Sequence, residues 1–254
     1  FKMEQLLLYP VGCTQACHEA ARILATRGIP VTDHVTPEAT HLLMDVPSFS
    51  SPGILKSGRT LRSLLELLPP QIILIGGNLG SQIPDEYQSL DLLKDEGYLY
   101  ENAALTAACA LRVTAEKTAF SLRGTNVLVV GWGRIGKHLA RLLQGCGAIV
   151  SVLSRSEAHL AEAASFGLHP VHREDLDGAI GNFRILYNTA PGMMIPEAVS
   201  AQCRNCLKIE LASLPGIAGD DVIPARGLPG IYVPESSGRL IADTFLRRLQ
   251  EERI

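Results

Sequence analysis

The sequence has 254 residues, of which 46% are hydrophobic and 19% charged, with a formal net charge of −3. That composition supports a sizeable core and excludes a disordered chain, and the mild acidity argues against a generally basic nucleic-acid binder. No apolar run reaches the roughly 18 residues of a membrane-spanning helix, so neither nucleic acid nor membrane is an expected partner. The length allows one large domain or two of ordinary size. Glycine (23) and proline (15) are frequent, as in an α/β protein with many short turns and close backbone contacts.

The first half reads as an α/β unit. Residues 5–10 read as a strand, 15–27 as a helix and 30–34 as a second strand. Ala16, Ala20, Ile23 and Leu24 set the helical period. The chain opens at Phe1, with Met3 a candidate native start, and the apolar stretch 6–9 is too short for a secretion signal. Residues 41–46 read as a strand, 61–68 as a helix stopped by Pro69-Pro70, and 71–75 as a buried strand ending in Gly76-Gly77-Asn78. That turn and Pro47-Ser48-Phe49-Ser50-Ser51 follow strand ends; they read equally as plain turns or as donors to a substrate carboxylate. Residues 101–118 read as a long helix of small side chains, including Ala103, Ala107 and Ala110, suited to connect two domains.

A second α/β unit follows. Residues 126–130 are almost uninterruptedly apolar, as in a parallel strand covered on both faces. A helix carrying Ile135, Leu139, Leu142 and Leu143 comes next, then a strand at 149–153, a helix at 158–166, and strands at 184–188 and 207–211. Residues 237–251 form an amphipathic helix with Leu240, Ile241, Phe245 and Leu249 inward, expected to return to the first domain. The expected division is 1–119, 120–234 and 235–254. The six cysteines (Cys13, Cys17, Cys109, Cys146, Cys203 and Cys206) read as reduced thiols of a cytoplasmic protein. A zinc site would require the 13/17 and 203/206 pairs to meet across the fold, and no metal is expected.

The sharpest motif is Gly131-Trp132-Gly133-Arg134-Ile135-Gly136, a GxGxxG that leaves a buried strand and opens an amphipathic helix. In that context it reads as a dinucleotide site. Gly131 permits the tight turn, Gly133 the approach of the pyrophosphate, and Gly136 close helix–strand packing. The helix start attracts the anion, and Arg134 adds charge. The alternative is a glycine-rich turn without a ligand. At the end of the next strand, where an NAD site has an acidic residue for the ribose, stands Ser154-Arg155-Ser156. Arginine forks onto phosphate oxygens, so NADP is the expected cofactor and NAD the second choice; the plain alternative is a surface arginine. Thr189, Ala190 and Pro191 end one strand, and Leu211, Ala212 and Ser213 end another. Ligands of open parallel sheets lie outside these carboxyl ends, so Thr189 to Pro191 with Leu211 and Ala212 are expected beside the nicotinamide.

Several strings together resemble the A-subunit family of dipicolinate synthase. Arg155-Ser156-Glu157-Ala158-His159-Leu160-Ala161 is similar to its R-S-x-A-H-L-A, and Asn188-Thr189-Ala190-Pro191 to its N-T-x-P. Leu211-Ala212-Ser213-Leu214-Pro215-Gly216 and Gly227-Leu228-Pro229-Gly230, with Val233-Pro234 and Gly238, resemble further family strings. The resemblance implies an α/β fold of two domains joined by helices: a Rossmann-type doubly wound parallel sheet and a smaller flavodoxin-like domain, as in D-2-hydroxyacid dehydrogenases. It implies an NAD(P)-dependent oxidoreductase of sporulation, acting in the cytoplasm. The substrate would be a small dicarboxylate at the dihydrodipicolinate level, the product pyridine-2,6-dicarboxylate, and the partner the flavoprotein-like B-subunit of dipicolinate synthase; a homo-oligomer is compatible with it.

The hydroxyacid dehydrogenases carry a histidine after a proline near the last helix and an arginine at a strand end. Here Glu235 follows Pro234 and Ser213 stands near the arginine's place, so Ser213, Glu235 and Ser236 are the catalytic candidates. Glu235 reads equally as a carboxylate meeting a helix dipole, and Ser236 as a cap. His159 is expected on a helix away from the strand ends. The family's G-G-D-x-R after the first strand is replaced by Gly12-Cys13-Thr14-Gln15, and its Asp before L-A-S by Glu210. A non-catalytic NADP-binding protein, or a related oxidoreductase acting on another carboxylate, therefore stays open beside the leading reading.

Overall fold

A computed structural model describes residues 6–252; Met3 and Gln5 lie outside the described residues. The chain forms two compact units, one from Phe1–Asn102 with Pro229–Ile254 and one from Ala103–Leu228. In chain order the first unit holds β1 (Leu8–Pro10), α1 (Gln15–Thr26), β2 (His41–Leu43), β3 (Phe49–Ser51), β4 (Ile54–Leu55), α2 (Leu61–Leu65), β5 (Ile73–Gly76) and β6 (Ser89–Asp91). α3 (Glu96–Lys117) begins in this unit and continues into the second. It starts one turn before the expected position because Asp95 accepts from the Tyr98 amide at 2.9 Å and caps the helix.

The first sheet is parallel, in the order β1-β2-β5-β6. The strand expected at 30–34 is reduced to one parallel bridge from Val31 to Leu8. Beyond it the Thr32 hydroxyl donates to the His34 carbonyl at 3.2 Å and turns the chain away. Counting that bridge as a strand beside β1 gives the 2-1-3-4-5 order of flavodoxin-like sheets. The segment after Pro47, expected as a loop, contains the β3–β4 hairpin.

The second unit continues with β7 (Asn126–Val130), α4 (Arg134–Gly145), β8 (Ile149–Leu153), α5 (Glu157–Ser165), β9 (His169–Val171), α6 (Leu176–Ala179), β10 (Ile185–Asn188), α7 (Glu197–Ser200), β11 (Leu207–Glu210) and β12 (Val222–Pro224). Its strands are all parallel, in the order β12-β11-β10-β7-β8-β9. Numbered within the unit this is 3-2-1-4-5-6 read from the far edge, the Rossmann order. β9 and β12 were not anticipated: His169 and Pro224 are exposed edge residues without an apolar run. The Tyr187 hydroxyl, buried in β10, hydrogen-bonds Thr114 and ties α3 to the sheet.

α8 (Leu228–Tyr232) and α9 (Pro234–Glu252) close the chain. α9 lies on α1 and buries Ile241, Ala242 and Phe245 beside Leu24 and Tyr98. Gly238 permits this contact, since a Cβ there would stand 2.6 Å from Glu19 Cβ and 2.8 Å from the Ala16 carbonyl oxygen. Arg247 holds the buried Asp95 at 2.7 Å, so one carboxylate caps α3 and anchors α9. No helix among the described residues is long and apolar enough to cross a membrane.

His41, in β2, is fully buried with its ring edge-on to Phe245 at 5.8 Å. Burial pushes its pKa down from 6.5 to about 4. The folded protein therefore holds this ring neutral while the unfolded chain takes up a proton below pH 6.5. Stability from this group is complete above that pH and is lost as pH falls toward 4, by up to roughly 3 kcal/mol. Urea unfolding followed by far-UV circular dichroism, at about pH 7 and about pH 5, should show the loss in the wild type and a clearly smaller one in His41→Leu. An equal loss in both proteins would remove His41 as the cause.

Candidate functional site

The site grows out of the turn between β7 and α4. Gly131 sits at φ +96°, and a Cβ there would meet the Thr189 hydroxyl at 2.8 Å and the Ala190 amide at 3.0 Å. Gly136 faces the Gly131 carbonyl so closely that a side chain would collide with it. Only Gly133 opens onto free space, with nothing within 4 Å of a Cβ. It is the N-cap of α4 and has no side chain to satisfy the first-turn amides. The three glycines thus divide the work: a turn with φ > 0, an open approach and a tight packing contact.

A cavity of about 400 Å³ lies against this turn. Gly131, Trp132 and Gly133 form one wall, and Ser154, Arg155 and Ser156 another. Thr189, Ala190 and Pro191 close it from the end of β10. Arg134 is exposed at the first position of α4, and Ile135 and Gly136 lie behind the turn; none of the three lines the cavity. Leu211 and Ala212 are buried at the end of β11 and do not line it either.

Two lining residues, His159 and Met194, were not expected there. The expectation that His159 lies away from the strand ends is corrected. α5 begins soon after β8, so its first turn stays at the carboxyl edge. There His159 Nδ1 stands 3.3 Å from the Ser154 hydroxyl, and Ser156 caps the helix by accepting from the His159 amide. A histidine three residues after a serine at a helix start was the available signal. Arg155 is exposed and makes no ion pair among the described residues, whereas Glu157 is paired with His172 at 3.2 Å.

The buried Glu210 carboxylate organises the next strand end. It accepts from Asn188 Nδ2 at 2.6 Å and from the amides of Ala212 at 3.1 Å, Gly216 at 2.7 Å and Ile217 at 3.3 Å. Asn188 uses its remaining capacity on Ala190, donating to its carbonyl and accepting from its amide. One carboxylate and one carboxamide therefore shape both the 189–191 wall and the loop carrying Ser213, which is exposed. In the sequence Glu210 stands out only as a replacement for Asp; its role is visible only once the loop amides converge on it. Arg226 donates to the Ala212 carbonyl at 3.2 Å.

Glu235 and Ser236 belong to the other unit, on the first turn of α9. Both are exposed, and Glu235 is paired with Arg239 one helical turn on, at 3.4 Å. In that unit the turn after β1 is held by Asp45, buried to 2% exposure, which accepts from the amides of Cys13 at 3.0 Å and Thr14 at 2.9 Å. In the two loops read as possible substrate donors, the buried Ser48 donates to the Asp45 carbonyl and accepts from the Gly77 amide, while Ser50, Ser51 and Asn78 are exposed.

The chain is similar to several known proteins. The family model for the D-isomer specific 2-hydroxyacid dehydrogenase, NAD binding domain, matches residues 101–194. The chain is 32% identical over 167 residues to the dipicolinate synthase A-subunit of Bacillus subtilis (strain 168). That match covers 62% of this chain and 56% of the relative, so it spans little more than half of the relative's length. The crystal structure of the dipicolinate synthase A-subunit from Bacillus halodurans superposes with a TM-score of 0.83 at 23% identity, over 96% of this chain and 97% of that one. The Bacillus subtilis structure gives 0.82 at 22% identity, over 98% and 97%. The resemblance carried by the sequence strings is thus shown, and the fold is similar to that of those two structures, with residues 101–194 matching the NAD binding domain model.

Glu210→Gln places an amide hydrogen among converging N–H donors and removes the charge they share. It should lower the stability of the second unit by about 2 kcal/mol, read from urea unfolding followed by the fluorescence of Trp132, the single tryptophan. Unchanged unfolding would show that the loop does not depend on the carboxylate.

Proposed function

We propose that this chain is an NADP-linked dehydrogenase of the dipicolinate synthase A-subunit kind. Its reaction converts a dihydrodipicolinate-level dicarboxylate to pyridine-2,6-dicarboxylate, in the cytoplasm of a sporulating cell and in company with a flavoprotein-like B-subunit. The observation that carries the reading is the cavity bounded by the glycine turn, the Ser154–Ser156 segment and the 189–191 wall. Those residues fit a dinucleotide: an uncapped helix start and an open Gly133 suit a pyrophosphate, and a pocket largely of apolar walls suits the rings.

Arg155, flanked by two hydroxyls, is the group for a 2′-phosphate. The nearby acid, Glu157, does not line the cavity, which supports NADP over NAD. The bound dinucleotide supplies the hydride acceptor, and aromatisation of the ring drives the transfer. The chain's own part is to orient and enclose. Ser213, on the loop that Glu210 holds, is proposed to face the reacting ring; Glu235 and Ser236, on the first turn of α9, are proposed as catalytic candidates on the resemblance alone.

Trp132 lines the cavity, so its fluorescence reports binding directly. NADP should bind more tightly than NAD, and Arg155→Ala should weaken NADP by about 10- to 100-fold while leaving NAD nearly unchanged. Equal affinity of the unchanged protein for both would overturn the cofactor reading. Turnover of dihydrodipicolinate with the B-subunit present, followed by reduced-cofactor fluorescence, tests the reaction. Tight NADP binding without turnover would assign a nucleotide-binding protein that has lost the chemistry.

A further inference from the structure

The cofactor cavity and the Glu210 network leave a separate cluster unused at the opposite, amino-terminal end of β11. Cys203-Arg204-Asn205-Cys206 leads into that strand. Residues 204 and 205 form a turn, with Asn205 in the left-handed region at φ +57°. A four-residue turn brings its end residues within about 7 Å of one another, inside the span a disulfide bridges.

Cys203 is 2% exposed and packs in the core of the second unit with Ile180 and Phe183; Cys206 is partly exposed. The Cys203 thiol donates to the Phe183 carbonyl at 3.4 Å and the Cys206 thiol to the Leu207 carbonyl at 3.7 Å. Cys203 is held below the ordinary thiol range, first by its hydrogen bond with Cys206, against the effect of burial; Cys206 is correspondingly pushed up. The buried ammonium of Lys208 lies alongside. It is fixed to the Ser200 carbonyl at 3.0 Å and to Asp221 at 2.9 Å; the ammonium favours a negative charge on either sulfur and the Asp221 carboxylate opposes it. Among the described residues no third His, Cys, Asp or Glu joins them to make a metal site.

We propose that Cys203 and Cys206 are a reversible oxidation site, closing to an intrachain disulfide by exchange with a low-molecular-weight disulfide. One thiol of the pair loses its proton and attacks a sulfur of the external disulfide, whose S–S bond breaks to release one thiolate. The second protein thiol loses its proton and attacks the protein sulfur of the mixed disulfide, releasing the second thiolate. The protein dithiol thus gives up two electrons and two protons, and the external disulfide becomes two thiols. The partly exposed Cys206 is the point of entry, passing its proton to the Cys203 sulfur as it attacks, and the buried Cys203 is then the resolving group. The site lies at the far end of the parallel strands from the cavity, so it is independent of the cofactor reading.

The folded full chain, incubated with oxidised glutathione, is quenched in acid, unfolded and alkylated, and its peptides are mapped by mass. Loss of alkylation at both Cys203 and Cys206, with a direct cross-link between them and full recovery on reduction, is the expected result. Retained alkylation at both, while the exposed Cys13 or Cys146 is glutathionylated, would overturn it. So would a stable glutathione adduct on Cys206 that Cys203 does not displace. Cys206→Ser, its folding checked by Trp132 fluorescence, should abolish the cross-link. A Cys203 disulfide to any other cysteine in that variant would also count against the site.

Discussion

No side chain fits at Gly131, Gly136 or Gly216 without displacing the group opposite, and this close approach at the carboxyl ends of three parallel strands is what the candidate site depends on. Gly131 meets Thr189, Gly136 meets the Gly131 carbonyl, and Gly216 meets the Asn188 carboxamide. The contacts draw the ends of β7, β10 and β11 together so that α4 can begin where Gly133 faces open space. Thr189 completes the arrangement by donating to the Val130 carbonyl at 2.8 Å. Backbone amides left without side-chain partners are costly in a packed interior. Here they are concentrated at a helix start beside a cavity, where an anion can satisfy them.

Carboxylates, two of them buried, do the equivalent work in the loops. Glu210 gathers the Ala212, Gly216 and Ile217 amides, Asp45 holds the turn after β1, and Asp91 accepts from the Asn78, Leu79 and Leu93 amides. Each replaces a secondary-structure partner that a loop cannot offer its own backbone. The replacement of a charged G-G-D-x-R segment by Gly12-Cys13-Thr14-Gln15 looks different in this light. The turn keeps a carboxylate, but it arrives from Asp45, about thirty positions on in the chain.

The elements legible beforehand were those with a strong local signal. β7, a run of apolar residues bounded by a GxGxxG, is found at the expected residues, and so is β8. Elements whose identity rests on partners were missed. β9 and β12 are three-residue edge strands with exposed members, and β6 has one buried residue of three. The strand expected at 30–34 shrinks to one bridge because only Val31 of its five residues is an apolar strand former and a local Thr32–His34 bond competes with the ladder. At the site, the glycine turn and the Ser154–Ser156 and 189–191 segments were readable because chemistry and position in the chain coincide. His159 was not, since its place depends on how closely α5 follows β8.

From the sequence alone came the α/β class, a doubly wound sheet, the dinucleotide turn and the resemblance to the A-subunit of dipicolinate synthase. All of these are written in residues near one another in the chain, where propensity, periodicity and motif spacing act. The tertiary structure alone decided which glycine is open and which are packed. It also decided that Leu211 and Ala212 are buried without lining the cavity while His159 and Met194 line it, and that Glu210 holds a loop. The physical reason is that burial and hydrogen-bond satisfaction belong to the neighbours a residue acquires in three dimensions, and a one-dimensional pattern carries those neighbours only when they are also close in the chain.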